Sequence, residues 1–168
     1  YIAKIRSSSS FLLSLINCVL ENARIESGHA TLKADTVSLS ALLSSLKAVF
    51  EPSIREKELT PNYHVRIYHD RVICDETKVK EILLNIVSNA IKYTPNGGHV
   101  SVIITEYPCS REGFASYTAV IEDDGIGMSE EYLPHIFEEF SREHTSTESK
   151  VFGAGLGLPI VKTLIELM

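Results

Sequence analysis

The chain has 168 residues, 44% hydrophobic and 23% charged, which suits one domain with a real core and excludes a disordered segment. Its net charge of -6 leaves no basic surplus to neutralise a phosphate backbone, so no nucleic-acid partner is expected. Cys18, Cys74 and Cys109 show no C-x-x-C spacing, against a zinc site or disulfide framework and in favour of a reducing cytoplasm. No apolar run reaches the length of a membrane span and the start at Tyr1 has no signal-peptide pattern, so a cytoplasmic setting is expected, with the intact protein free to be membrane-anchored.

Tyr1 to about Ser27 reads as a helix, because Ile2, Ile5, Ser9, Leu12, Ile16, Val19 and Ala23 alternate spacings of three and four. Leu13, Leu15 and Leu20 widen that face, which favours a helical bundle over a two-stranded seam; a helix docked on its own domain is the plainer alternative. Gly28 supplies a stop. An extended piece near Leu32 to Val37 leads to an amphipathic helix carrying Leu39, Leu42, Leu46 and Phe50, capped by Ser38 or Ser40, with Pro52 expected to kink or shorten it. Tyr63 to Tyr68 and Val72 to Cys74 read as strands. Asp75 caps a helix with Val79, Leu83, Ile86, Val87 and Ala90 on its apolar side, which ends in the turn Thr94-Pro95-Asn96-Gly97-Gly98. Strands are expected at His99 to Glu106 and Ala115 to Glu122, then a glycine turn, a short helix near Glu130 to Phe137, a second glycine turn, and a last helix from about Leu156. The order predicts an α+β fold with helices on one face of a sheet.

Three elements carry polar chemistry. On the Asp75 helix, Glu81, Asn85 and Asn89 recur every four residues and Lys92 follows, which gives either a solvated face or a site pairing an amide oxygen for Mg²⁺ with a cation for phosphate. Asp123-Asp124-Gly125-Ile126-Gly127 follows a strand and is either a simple turn or a place where a carboxylate reads an exocyclic amine beside open backbone. Gly153-Ala154-Gly155-Leu156-Gly157 opens a helix and offers backbone N–H groups to an anion, but it has neither the G-K-[ST] of a Walker loop nor the early position of a dinucleotide fingerprint.

In this order the elements resemble the Bergerat-type ATP-binding fold shared by DNA gyrase, Hsp90 chaperones, MutL and histidine kinases, and within it the sensor histidine kinases of two-component systems. Asn85 to Pro95 is similar to their asparagine box, Asp123 to Gly127 to the first glycine box, Ile136 to Phe140 to the phenylalanine box, and Gly153 to Leu158 to the second glycine box. Residues 1–28, ending Ala23-Arg24-Ile25-Glu26-Ser27-Gly28, resemble the second helix of the dimerisation and histidine-phosphotransfer hairpin, and 29–168 the catalytic domain. The resemblance implies a two-layer α/β sandwich, transfer of the γ-phosphoryl of Mg-ATP to a histidine, and relay to a response-regulator receiver domain. Its alternatives are a nucleotide-binding adaptor without transfer, or a hydrolytic ATPase of the wider family.

The same resemblance assigns roles. Asn89 ligates Mg²⁺, Asn85 bonds a phosphate or a metal-bound water, Lys92 meets phosphate, Tyr93 flanks the base, and Asp123 reads the adenine amine with Gly125 and Gly127 giving room. Gly153, Gly155, Leu156 and Gly157 form the hinge and phosphate-facing end of a lid from about Ser141 to Leu156, Arg142 and Lys150 are lid cations that either reach the γ-phosphate or are solvated loop charges, and Phe137 and Phe140 anchor the lid. Hydrolytic relatives carry a glutamate where Asn85 stands; an amide is a poor base, which favours transfer over hydrolysis. Two departures are expected. None of the six histidines has the acceptor setting H-[DE]-x-[RK]-[TN]-P, so the acceptor helix, from the same or a partner subunit of a homodimer, lies elsewhere. The β-hairpin that follows the last helix in the family is missing before Met168.

Overall fold

The computed structural model describes residues 31–143 and 155–168, with Ile16 as one helical position before them. The expected first helix otherwise falls outside the described residues, as do Lys150 and Gly153. The chain divides into two units, Lys33–Gly127 and a second that includes Met128–Met168.

The first unit runs β1 (Asp35–Ser38), α1 (Leu39–Glu56), β2 (Thr60–Arg66), β3 (Arg71–Cys74), α2 (Glu76–Tyr93), β4 (His99–Pro108) and β5 (Ala115–Asp123). β2, β4 and β5 form a three-stranded sheet in that order, and β1 pairs with β3 in a second, two-stranded one. β4 and β5 are an antiparallel hairpin from Val100 opposite Asp123 to Pro108 opposite Ala115. β2 lies parallel to β4, from Thr60 opposite His99 to Arg66 opposite Thr105. A parallel pair needs a crossover, which β3 and α2 supply.

Side chains set the helix starts. Ser38 is extended and its Oγ accepts the Ala41 N–H at 3.2 Å. Asp70, from the β2–β3 loop, adds a second cap by accepting the Ser40 N–H at 2.8 Å. Pro52 lies on the exposed flank of α1, and the helix runs on past it to Glu56, so the expected shortening does not occur. The chain then leaves α1 through Glu58 in the left-handed region at φ 55, which costs a non-glycine residue about 1 kcal/mol. At α2, buried Asp75 accepts N–H groups of Lys33 and Lys78 at 2.9 and 3.1 Å. Burial opposes its charge, but these donors prevail and hold its carboxyl below the ordinary range.

Leu42, Leu46 and Phe50 of α1, Leu83, Val87, Ala90 and Ile91 of α2, and Val100, Val102 and Ile104 of β4 share one core. The β4 residues alternate, so they point to one face, and both helices cover it. This is the two-layer sandwich that the sequence predicts. Truncating Leu83 to alanine would cost roughly 2–5 kcal/mol through lost burial and the cavity left behind.

In the second unit a 3-10 turn, Leu133–His135, stands where a short helix is expected. Its start has no side-chain cap, and Phe140 at φ 63 breaks any continuation of the helical path. α3 (Gly157–Leu167) follows the second glycine turn and buries Pro159, Val161 and Leu164.

Candidate functional site

The helical period that sends Leu83, Val87 and Ala90 into the core leaves Glu81, Asn85, Asn89 and Lys92 half-buried on the other flank of α2. Asn85 Nδ2 donates to the Glu81 carbonyl at 3.0 Å, which orients the amide and leaves its Oδ1 acceptor and its second N–H for a ligand. Lys92 Nζ sits 4.8 Å from the centre of the Tyr93 ring, a cation–π distance that steadies both side chains at the end of the helix.

A helix end exposes four carbonyls, and here each has a partner. The Thr94 N–H and hydroxyl both donate to Ala90 O, at 3.0 and 2.6 Å. The Lys57 ammonium, from just past α1, donates to the carbonyls of Ile91, Lys92 and Thr94 at 2.8, 2.9 and 2.7 Å. The Ile126 N–H reaches Tyr93 O at 3.4 Å. That last bond docks the first glycine turn onto the end of α2. At Gly125 a Cβ would lie 2.5 Å from Asp123 Oδ1 and 2.7 Å from Tyr93 O, so no other residue fits without moving the backbone. Gly127, at φ 69, has open space around it.

The two adjacent acids divide their work. Asp124 accepts the His99 N–H at 2.7 Å and lies 2.8 Å from that ring's Nδ1, pinning the turn to the start of β4. The backbone N–H of His99 first, then its ring, hold the Asp124 carboxyl below its ordinary range. Asp123 uses one oxygen to accept the Gly125 N–H at 3.0 Å, and its carboxylate is exposed. Asn85, Asn89, Lys92, Tyr93, Asp123, Gly125 and Gly127 therefore all belong to the first unit, along the last turns of α2 and the turn docked on its end.

Arg142, Gly155, Leu156 and Gly157 belong to the second unit. The Phe140 N–H donates to Gly155 O at 3.1 Å. Gly155 combines φ 71 with a Cβ position 2.7 Å from Ser141 O, so both its conformation and its space demand glycine. Leu156 is buried, Gly157 opens α3, and Arg142 is half-buried. Phe137 and Phe140 are exposed.

Sequence reasoning missed Lys57 and the pinning role of Asp124. No local pattern marks Lys57, because its partners sit on another helix. Among the described residues there is no group of three His, Cys, Asp or Glu residues able to cage a metal. No helix there is long and apolar enough to cross a membrane.

The family described as histidine kinase-, DNA gyrase B-, and HSP90-like ATPase matches residues 74–168. The autoinducer 2 sensor kinase/phosphatase LuxQ of Vibrio vulnificus is 31% identical over 163 residues, 96% of this chain and 19% of LuxQ. The sensor histidine kinase GacS of Pseudomonas protegens is 33% identical over 171 residues, 100% of this chain and 18% of GacS. The chain thus spans about a fifth of the length of these curated relatives. Full-length ShkA, solved in complex with AMPPNP, superposes with a TM-score of 0.75 at 31% identity, over 100% of this chain and 33% of its own. Fold, boxes and relatives together define an ATP-binding catalytic module of the histidine kinase type. The chain belongs to the family of histidine kinase-, DNA gyrase B- and HSP90-like ATPases.

Proposed function

We propose that this chain binds Mg-ATP beside the last turns of α2 and catalyses transfer of its γ-phosphoryl group to a histidine on a dimerisation helix, for relay to an aspartate of a response-regulator receiver domain. The observation that carries the reading is the bond from Ile126 N to Tyr93 O, which joins the turn bearing Asp123 to the helix end bearing Asn89 and Lys92. Asp123 is then the acceptor for the adenine amine, Tyr93 flanks the base, and Lys92 meets phosphate. The family pattern gives Gly153, Gly155, Leu156, Gly157 and Arg142 to the phosphate-facing side.

The donor set fits Mg²⁺. An ion that keeps waters and phosphate oxygens around it needs one hard protein oxygen rather than a cage, and the Asn89 amide supplies one. Bound there, Mg²⁺ would neutralise charge on the phosphates. Asn85, with Oδ1 and one N–H of Nδ2 to offer, can accept from a metal-bound water or donate to a phosphate oxygen. In the transfer the bond from γ-phosphorus to the β-phosphate oxygen breaks, a P–N bond forms at the imidazole, and ADP leaves. Lacking a carboxylate at position 85, the site has no group there to activate water.

Residues 1–28 are read as the second helix of the dimerisation hairpin, which packs with its partner pair in a two-fold four-helix bundle, and 29–168 as the catalytic domain. Use of ATP as donor supports a cytoplasmic location for the module. Calorimetry with ATP, with and without Mg²⁺, followed by phosphotransfer to a separately supplied acceptor hairpin, tests the proposal. Binding that needs Mg²⁺ and is lost in Asn89→Ala with an unchanged melting curve is expected. An Asn89→Ala chain that keeps Mg²⁺-dependent binding would remove the metal role.

A further inference from the structure

We propose that Lys57 is a positioning residue for nucleotide binding, an ammonium that fixes the last turn of α2 and cancels the negative end of that helix where the polyphosphate docks. The inference rests on the nucleotide site proposed above.

The C-terminus of a helix carries the equivalent of roughly half a negative charge, so it is a poor place to bring a polyphosphate. The same turn carries Lys92 and Tyr93, with Asn89 one turn earlier, and three further acids, Glu122, Asp123 and Asp124, follow in the neighbouring strand end and turn. A compensating cation is needed, and Lys57 is placed to supply it. Its three donors are spent on Ile91 O, Lys92 O and Thr94 O, all within 2.9 Å, which is the full capacity of an ammonium group.

The residue is tied to this helix end by its backbone as well. The Gly97 N–H, from the turn after α2, donates to Lys57 O at 2.9 Å. The next residue, Glu58, holds a left-handed backbone at φ 55, a conformation unfavourable for a glutamate. The chain accepts that strain at the point where α1 ends and Lys57 meets α2. A lysine that merely capped a helix would act on stability alone. Lys57 caps the turn that carries Lys92, the side chain assigned to phosphate, so its charge also acts on the ligand.

The test compares wild type, Lys57→Gln, Lys57→Met and Lys57→Arg in the 168-residue chain, by calorimetry with ATP, ADP and adenosine at low and high salt and by thermal melting. Lys57→Gln is expected to weaken ATP about tenfold, ADP less, and adenosine least, with the difference shrinking as salt rises. Lys57→Arg, which keeps charge and donors, is expected to restore ATP affinity. An equal loss for ATP and adenosine would overturn the inference, because it would mean local packing only. Unchanged ATP affinity in Lys57→Gln would overturn it as well. Should Lys57→Met fail to melt cooperatively, the Gln and Arg pair decides; the same failure in Lys57→Gln would make Lys57 a fold residue only and overturn the proposal. A wild type that binds no nucleotide strikes instead at the reading of the site, and the inference falls with it.

Discussion

The two ends of β4 each carry a histidine beside a carboxylate, and the pairs do different work. At the start of the strand, Asp124 meets the backbone and ring of His99 with both side chains in solvent, at 49% and 69% exposure. Toward the other end, Glu106 is only 5% exposed and accepts the N–H groups of Tyr68 and His69 at 2.7 and 2.8 Å, with the His69 ring at 2.5 Å. Tyr117 adds a bond from its hydroxyl to His69 O at 3.0 Å. The buried carboxylate has its acceptors filled and ties the β2–β3 loop to the sheet. The exposed acidic turn commits Asp124 and leaves the carboxylate of Asp123 facing solvent. Similar pairs thus mark a fold anchor where they are buried and hydrogen-bonded, and border the proposed ligand site where a neighbouring acid is open.

The comparison predicts which substitutions change binding and which change stability. Gly125→Val should have the largest effect, because its Cβ would overlap Asp123 Oδ1 and Tyr93 O. ATP binding should fall at least about a hundredfold, and stability by about 1–3 kcal/mol from the forced backbone shift. ATP affinity within a few-fold of wild type would show that the turn is no part of the site.

Asp123→Asn comes next. It replaces an acceptor by an amide that presents a donor, and should cost roughly 1.5–3 kcal/mol of ATP binding with little change in melting. Preference for ATP over GTP should narrow in this variant and persist in Asn89→Ala; equal losses of selectivity in the two would contradict their separate roles.

Glu106→Gln should do the reverse, lowering stability while leaving ATP affinity unchanged. Burial works against the Glu106 charge, but the His69 ring and the N–H groups of His69 and Tyr68 prevail and lower its pKa from 4.5 to about 2. A group whose folded pKa is depressed stabilises fully above its unfolded value, and loses that contribution as pH falls. The advantage of wild type over Glu106→Gln should therefore be complete above about pH 5 and fade as pH falls through 4.5 toward 2. Urea midpoints across that range provide the check, and a gap that does not depend on pH would refute the account.

The smallest effect belongs to Asp124→Asn, which keeps an acceptor for the His99 N–H and loses only the carboxylate's solvent-exposed contact with the His99 ring. A larger loss in thermal melting than that of Glu106→Gln would reverse the assignment of anchor and border.

Much of this was legible in the sequence because it is local. Ser38 and Asp75 announce their helices, the apolar stripe of α2 fixes which face carries Asn85 and Asn89, and the first glycine turn falls where composition puts it. The strands were read within a few residues of their ends. The rest depends on partners distant in sequence. Lys57 and the carbonyls it caps lie on different helices, and Asp124 differs from Asp123 only through His99. The short helix expected near Glu130 to Phe137 is a 3-10 turn at Leu133–His135, because its start has no side-chain cap and Phe140 turns left-handed, features the local sequence does not announce.

The parallel pairing of β2 with β4 has a kinetic consequence. The β4–β5 hairpin closes through a short turn, whereas Thr60 meets His99 only after the intervening β3 and α2 have been gathered in. The entropy of closing that long loop must be met before its ladder returns anything, so β2 is expected to join last, onto a hairpin already backed by α2. Until then the edge of β4 stands open, with Val102 and Ile104 on one side of the strand, and in that interval the nascent chain is most exposed to pairing with a neighbour.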